Sequence, residues 1–312
     1  MNIDPEILRV EERVALALRG LYRDRGYAPF RMGKFEEYDL YARNKEFLIS
    51  ENVLTFTDAG GRLMALKPDV TLSIVRAERD CAPAVRKLYY HENVYRPGPS
   101  GAFRELGQAG VECQGAVGEA QVGETLLLAL ESLRRISGEF RLELSHLGVL
   151  TSLLDRFGVS AGARREVLGA VARKSPHEIA RLCAEASAAP EAAEALAHLA
   201  ALSGPPEAVL PALRDLGADA EALALLKRLG ALAAREGFDG NLTLNFSIVG
   251  HLNYYNGIVF RGFVMGAPGR VLSGGQYDGL MRKMGRRDRA VGFAVYLDAL
   301  EYLEKTGEEA AE

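Results

Sequence analysis

The chain is 312 residues long, 48% hydrophobic and 26% charged, with a formal net charge of −4. Such a chain can bury a substantial core and divide into two units, and its composition excludes intrinsic disorder. The slightly acidic balance gives no overall basic footprint for nucleic acid, although a local patch remains compatible with it.

Three cysteines, Cys81, Cys113 and Cys183, are odd in number and widely spaced, which argues against a disulfide framework or a zinc knuckle. Reduced thiols in the cytoplasm are the expectation. The amino terminus reads Met1 Asn2 Ile3 Asp4 Pro5 Glu6, acidic where a signal peptide needs basic and then apolar residues, and no apolar run approaches membrane-spanning length. No membrane association is expected. Residues 5–25 have helical spacing, with Ile7, Leu8, Val14, Leu18 and Leu21 as an apolar stripe behind an Asp4 Pro5 start signal. Segments 52–57, 62–66, 85–94 and 110–113 are β-branched or aromatic and flanked by glycine, as antiparallel strands are, and Gly60 Gly61 after Asp58 predicts a hairpin turn. The run from Glu119 to Ile136 predicts a long helix, with acids early and Arg134 and Arg135 late to match the helix dipole. From 156 to 237 the chain is rich in alanine, leucine and charged residues, broken at Pro176, Pro190, Pro205, Pro206 and Pro211, which predicts a helical insertion. Strand character returns at 241–248. The expected organisation is a core in two parts, 1–155 and 238–312, around an insertion at 156–237.

Four ordered motifs then stand out. The first is Leu66 Lys67 Pro68 Asp69 Val70 Thr71. The second is a strand from Arg86 to Arg96, a loop, and Phe103 Arg104 Glu105 Leu106 Gly107 Gln108 Ala109 Gly110 Val111 Glu112. The third is Gly250 His251 Leu252 Asn253 Tyr254 Tyr255 Asn256 Gly257 Ile258 Val259 Phe260. The last comprises Ser273 Gly274 Gly275 Gln276 Tyr277 Asp278 Gly279 Leu280 and the segment from Ala290 to Leu300. In this order they resemble the proline loop, motif 2, the histidine-specific signature and the motif 3 region of histidyl-tRNA synthetases. Agreement of four ordered motifs across most of the chain makes that resemblance specific. It implies an α+β fold, an antiparallel sheet flanked by helices as in class II aminoacyl-tRNA synthetases, with a helical insertion. The dimer-forming first motif of that class is matched only loosely by residues 26–36, where Gly33 falls in place of proline.

Two departures carry functional information. Gly250 stands where the family has the arginine that assists amino-acid activation, and Ala299 where motif 3 has the arginine that packs on adenine and binds the γ-phosphate. Losing one preorganised charge stabiliser costs roughly 3 to 4 kcal/mol of barrier, so losing two is expected to leave little adenylation, and no catalytic residue is assigned. Arg261, Arg270 and the run Arg282, Lys283, Arg286, Arg287, Arg289 lie at neighbouring positions. Strand alternation turns Arg261 away from whatever Phe260 faces, and the run around Arg286 reads as a solvated loop, so no obvious replacement is at hand. The chain ends at Glu312, soon after motif 3, where such a synthetase continues into an anticodon-reading domain. That domain is expected to be absent and tRNA not to be a partner.

A retained amino-acid pocket with both arginines lost resembles the family of regulatory subunits of ATP phosphoribosyltransferase. The resemblance implies no activity of the chain's own and no cofactor or metal. It implies a short-form catalytic subunit as partner in the first step of histidine biosynthesis, activation of that subunit, and feedback inhibition by L-histidine. A homodimer within a hetero-oligomer is implied as well. Sensing needs only differential binding between two states. Two other readings remain open: a truncated histidyl-tRNA synthetase or other amino-acid-activating relative, and a stand-alone histidine-binding module.

Matched position by position, the resemblance gives Asp69 and Gln108 the amino group, Arg96 the carboxylate, and Glu112 and Tyr255 the imidazole, with Tyr277 nearby, Tyr254 beside Tyr255 and Thr71 adding an acceptor. An ammonium needs acceptors and a carboxylate a charged donor, so acid plus arginine is the least that holds a zwitterion. A carboxylate and a tyrosine hydroxyl suit the two edges of an imidazole. Taken singly, each residue has a plain structural alternative: Arg96 a surface ion pair, Glu112 an edge-strand charge, Tyr255 a core aromatic, Gln108 a strand-surface amide, Asp69 a turn residue. Asn253 replaces an aspartate of the family, His251 reads as structural or solvent-facing, and Gly274 and Gly275 read as a tight turn rather than a phosphate cradle.

Overall fold

The first helix begins later than its apolar stripe suggests. The Glu12 carboxylate accepts a hydrogen bond from the backbone N–H of Arg9 at 3.0 Å, closing the amino-terminal turn, so α1 runs Val10–Asp24 and buries Val14, Leu18, Leu21 and Tyr22. Ile7 precedes the helix and is 73% exposed, outside the stripe. The computed structural model describes residues 7–48, 52–98, 100–250 and 254–303. Expectations resting on Asp4, Pro5, His251 and Asn253 lie outside the described residues.

After α1 come β1 (Ala28–Pro29), β2 (Phe35–Glu37), α2 (Tyr38–Ala42), β3 (Thr55–Thr57), β4 (Leu63–Leu66), α3 (Val70–Ala77), β5 (Val85–Pro97) and β6 (Phe103–Gly115). Then follow α4 (Glu119–Ile136), β7 (Phe140–His146), α5 (Leu147–Arg156), α6 (Arg164–Ala172), α7 (Pro176–Glu185) and α8 (Ala192–Ala201). The chain continues through β8 (Ser203–Gly204), α9 (Pro206–Asp215), α10 (Ala220–Arg235), β9 (Leu242–Asn245), β10 (Ile258–Val264), β11 (Leu272–Gln276), α11 (Asp278–Lys283) and β12 (Arg289–Tyr296), ending in a 3-10 turn, Leu297–Leu300. Helix α4 matches its expected run residue for residue. Strands β5 and β6 outgrow theirs because they pair with each other along their full length, from Val85 opposite Gly115 to Pro97 opposite Phe103. The hairpin turn falls as expected: Gly61 is left-handed at φ 78°, and the Asp58 carboxylate accepts from the backbone N–H groups of Gly60 and Arg62, each at 2.9 Å.

Nine strands form one sheet in the order β1-β5-β6-β12-β11-β10-β7-β9-β8, antiparallel except for β1 on β5 and β7 on β9. Helices α1 and α4 cover one face. There Tyr22 meets Phe293 edge-on at 6.0 Å, and Leu133 packs where Gly262 leaves no side chain. The opposite face carries, in register across three strands, Glu112, Gly292 and Gly275, with Val259 next on β10. Directly paired residues share a face, so this row forms an open floor with one carboxylate at its edge. The small sheet β2-β4-β3 and helices α3 and α11 wall that face through an apolar cluster including Tyr41, Phe47, Leu72, Tyr254, Tyr277 and Met281.

Proline opens two of the later helices: Pro176 at the start of α7 and Pro206 at the start of α9, where a missing N–H costs nothing. Leu196 and Leu199 of α8 and Leu226 of α10 join the same core as Leu133 and Leu144. Strand β8, not expected from sequence, pairs antiparallel with β9 and extends the sheet edge. Cys113 and Cys183 are buried, Cys81 is half-buried, and all three are free thiols. Among the described residues no helix is long and apolar enough to cross a membrane.

Candidate ligand site

The open face of the sheet holds a cavity of about 320 Å³, and all eight residues singled out in the sequence line it: Asp69, Thr71, Arg96, Gln108, Glu112, Tyr254, Tyr255 and Tyr277. That size suits a small ligand held by a few polar groups. These residues come from β5, β6, α3, the segment before β10 and the junction of β11 with α11. Only the tertiary fold brings them together.

One end carries the acid and the guanidinium. Asp69 caps α3, its Oδ1 accepting from the Leu72 backbone N–H at 2.9 Å, while its Oδ2 faces Arg96 at 3.5 Å. One oxygen of Asp69 thus caps the helix while the other faces Arg96 at the cavity. Arg96 donates from Nε to the Pro68 carbonyl at 2.6 Å, which locks the guanidinium against the loop that carries Asp69. Burial pushes the Asp69 carboxyl up, with Arg96 and the backbone N–H groups at the helix start pulling it down. The loop itself is anchored by the fully buried Lys67, which pairs with Glu92, and by the Tyr95 backbone N–H donating to the Lys67 carbonyl at 2.9 Å. Gln108, 3% exposed, lies in the same wall.

The other polar group is Glu112, 2% exposed. Thr71 donates its hydroxyl to Glu112 Oε1 and Tyr277 donates to Oε2, each at 2.6 Å, and Gln114 Nε2 supports the tyrosine oxygen at 3.4 Å. Burial pushes the Glu112 carboxyl up to about 8, against the two hydroxyls that favour its charged form. The Thr71 hydroxyl proton is thus committed to Glu112, and only its oxygen lone pairs remain for an ammonium. Three tyrosine rings close the wall, Tyr254 lying 4.7 Å from Tyr255 and 5.9 Å from Tyr277 between centroids.

Glycine shapes the floor. Gly274 and Gly275 lie within β11 and make no turn, contrary to the sequence reading. Their missing side chains leave room for Phe260 and Phe293 on the helix-covered face and for the Tyr255 ring on the cavity face. Gly250 is left-handed at φ 56°, and a Cβ there would lie 3.2 Å from the Tyr255 ring, so both backbone and space disfavour an arginine at that position. Ala299 packs against the main core and does not line the cavity.

Two guanidiniums that the sequence reading set aside do reach the cavity. Arg261 indeed faces away from Phe260, and the face it takes is that of the cavity, two residues from Val259; Arg270 enters from the segment before β11. Strand parity was a usable signal for Arg261, whereas nothing marked Arg270. The expectation that no arginine replaces the lost pair is therefore corrected in part. The run around Arg286 is not simply solvated either: Arg286 donates to the Val75 and Arg76 carbonyls at 3.2 and 3.1 Å, capping the end of α3.

A long β5–β6 hairpin beneath a cavity that joins an acid–guanidinium pair to a buried carboxylate defines a class II aminoacyl-tRNA synthetase-like protein. Residues 1–300 match the family described as histidyl-tRNA synthetase, and the chain belongs to that family. Similar relatives carry two kinds of name. An ATP phosphoribosyltransferase regulatory subunit of Alkaliphilus metalliredigens is 27% identical over 88% of this chain and 72% of its own length. Another of that name, from Symbiobacterium thermophilum, is 35% identical over 80% of this chain and 64% of its own length. A histidine–tRNA ligase of Methanococcus maripaludis is 29% identical over 95% and 73%. The chain thus spans roughly two thirds to three quarters of these relatives. Among solved structures, an ATP phosphoribosyltransferase regulatory subunit/histidyl-tRNA synthetase from Bacillus halodurans superposes with a TM-score of 0.84 at 24% identity, covering 96% of this chain and 80% of the other. A chain of the ATP phosphoribosyl transferase (HisG:HisZ) complex from Thermotoga maritima gives 0.73 at 18% identity, covering 92% and 97%. At these identities the likeness is one of fold.

Proposed function

We propose that this chain is a non-catalytic regulatory subunit of ATP phosphoribosyltransferase that binds free L-histidine in the cavity and joins a short-form catalytic subunit, activating it and making it sensitive to histidine. The observation that carries this reading is the combination of an intact amino-acid clamp with Gly250 and Ala299 at the two positions where the family's activating arginines stand. Asp69 and Gln108 take the ammonium and Arg96 the carboxylate. Glu112, between Thr71 and Tyr277, faces one edge of the imidazole and Tyr255 the other. A site built from hydrogen-bonding groups rejects ligands that lack them, which suits a sensor of one amino acid. The bound ligand then needs only to favour one state of the assembly, and a tenfold preference corresponds to about 1.4 kcal/mol. Two copies of this chain pairing near residues 26–36 within the hetero-oligomer, in the cytoplasm, complete the reading.

A second reading, histidine activation, is favoured by one observation: Arg261 and Arg270 line the cavity. Two assays separate the two. Phosphoribosyltransferase activity of a short catalytic subunit from the same organism is expected to appear or rise on adding this chain and to fall when histidine is added. Histidine-dependent pyrophosphate exchange by this chain alone is expected to be at background. Exchange above background would overturn the regulatory reading, and so would a catalytic subunit indifferent to the folded chain.

A further inference from the structure

Neither Lys67 nor Glu92 lines the cavity, yet the two stand directly behind the clamp. Glu92 lies on β5 four residues before Arg96, on the same face of the strand, and opposite Gln108 of β6. Lys67 comes two residues before Asp69 and is 0% exposed, with its ammonium on the Glu92 carboxylate. The pair therefore neighbours all three groups assigned to the two charged ends of a zwitterion.

It is tied on its far side as well. The Lys67 backbone N–H donates to the Lys34 carbonyl at 3.1 Å, and the Met32 backbone N–H approaches Glu92 Oε1 at 3.4 Å. The loop that carries Asp69 meets β5 through Lys67 Nζ on Glu92, the Tyr95 N–H on the Lys67 carbonyl, and Arg96 Nε on the Pro68 carbonyl. The last of these uses the guanidinium that a ligand engages, whereas the first uses side chains that stay out of the cavity. A buried ion pair adds little net stability, because taking both charges out of water offsets most of their attraction, and an apolar pair of similar volume holds a fold as well. Its geometry is nonetheless strict, since each charge has to stay on its partner. What such a pair supplies here is the place of the loop along β5.

We propose that Lys67 and Glu92 are the positioning pair of the amino-acid clamp: without touching the ligand, they hold Asp69 to Arg96 and Gln108 at the spacing a zwitterion requires. This role rests on the clamp proposed above.

Titration calorimetry with L-histidine and amide hydrogen exchange on the intact chain test it, in Lys67→Met, in the double variant Lys67→Met with Glu92→Leu, and in Lys67→Arg. Both methionine variants are expected to bind histidine at least tenfold more weakly. Lys67→Arg is expected to keep most of the affinity, because it retains the charge and a cleft of about 310 Å³ beside the pair leaves room for a guanidinium. Exchange is expected to quicken at the amides of Leu72, which donates to Asp69, and Tyr95, which donates to Lys67, while the β7–β10 ladder keeps its parent rates. Unchanged affinity in both methionine variants overturns the proposal, and so does exchange that quickens equally throughout the molecule, the mark of a pair that only stabilises the fold. Should Lys67→Met fail to fold, the double variant decides, because it leaves no buried charge unpaired. A folded parent that binds no histidine refutes the clamp instead, and the exchange rates at Leu72 and Tyr95 then decide alone whether the pair positions the loop.

Discussion

At pH 8 the variant Glu112→Gln is expected to be more stable than the parent protein, and at pH 5 the difference is expected to shrink towards zero. The Glu112 carboxyl is pushed from its ordinary value of 4.5 up to about 8 by burial. A carboxyl raised in the folded state binds its proton more tightly there than in the unfolded chain. Its favourable contribution is therefore complete below about 4.5 and is lost as pH rises through 8. A shift of that size corresponds to a loss of up to about 5 kcal/mol across the window. Glutamine cannot ionise, so it keeps the low-pH stability throughout. Its amide can accept from one of the Thr71 and Tyr277 hydroxyls and donate to the other. Urea denaturation of both proteins at pH 5, 6.5 and 8 checks this. A parent–variant difference that does not change with pH would contradict the burial of an ionisable carboxyl at this position.

The second large effect is expected at Gly292. A Cβ built there would lie 1.8 Å from Glu112 Oε2 and 2.5 Å from the Val111 carbonyl oxygen. The carboxylate end of a side chain could swing aside, but a backbone carbonyl in the middle of a paired strand cannot without disturbing the β6–β12 ladder. Gly292→Val is expected to cost on the order of 1 to 3 kcal/mol or more through overpacking and to abolish ligand binding by displacing Glu112. Gly292→Ala should show the same pattern more weakly. Chemical denaturation gives the first number and calorimetry the second. A valine variant as stable as the parent would mean that the floor of the cavity is looser than this packing implies.

Where the sequence was informative, the reasons are local. The α4 run was readable to the residue because its charges follow the helix dipole and the Gly118 backbone N–H finds the Gln121 side chain at 2.9 Å. The eight cavity residues were readable only because four motifs occur in a known order; no local spacing joins Asp69 on a helix cap to Glu112 on β6 or Tyr277 beyond β11. The start of α1 differs from expectation because an Asp-Pro start signal and apolar spacing do not fix the cap, which lies at Arg9 and is marked by Glu12. Gly274 and Gly275 look like a turn in one dimension. Their role, yielding space to the Tyr255, Phe260 and Phe293 rings, exists only once three strands are paired. Arg270 had no signal, because a side chain arriving from a connecting segment obeys no strand parity. Nothing in the sequence of its motif marks Lys67, which is fully buried and pairs with Glu92 beneath the loop that holds Asp69.

The pairing of Arg96 with Asp69 also bears on ligand entry. At 3.5 Å the two groups partly satisfy each other, and the zwitterion proposed above would exchange that contact for one salt link to each. Removing either partner takes away the other's nearest counter-ion, so affinity and local order are both expected to depend on the pair.

Calorimetric titration of L-histidine into the parent protein, Arg96→Ala and Glu112→Gln tests the central claim most directly. One site per chain is expected in the parent and affinity at least tenfold lower in each variant, since Arg96→Ala removes a charge-assisted contact of about 1.5 to 3 kcal/mol and Glu112→Gln replaces a carboxyl oxygen at the imidazole by an amide. Absence of binding in the folded parent, or unchanged affinity in both variants, would contradict histidine recognition in this cavity.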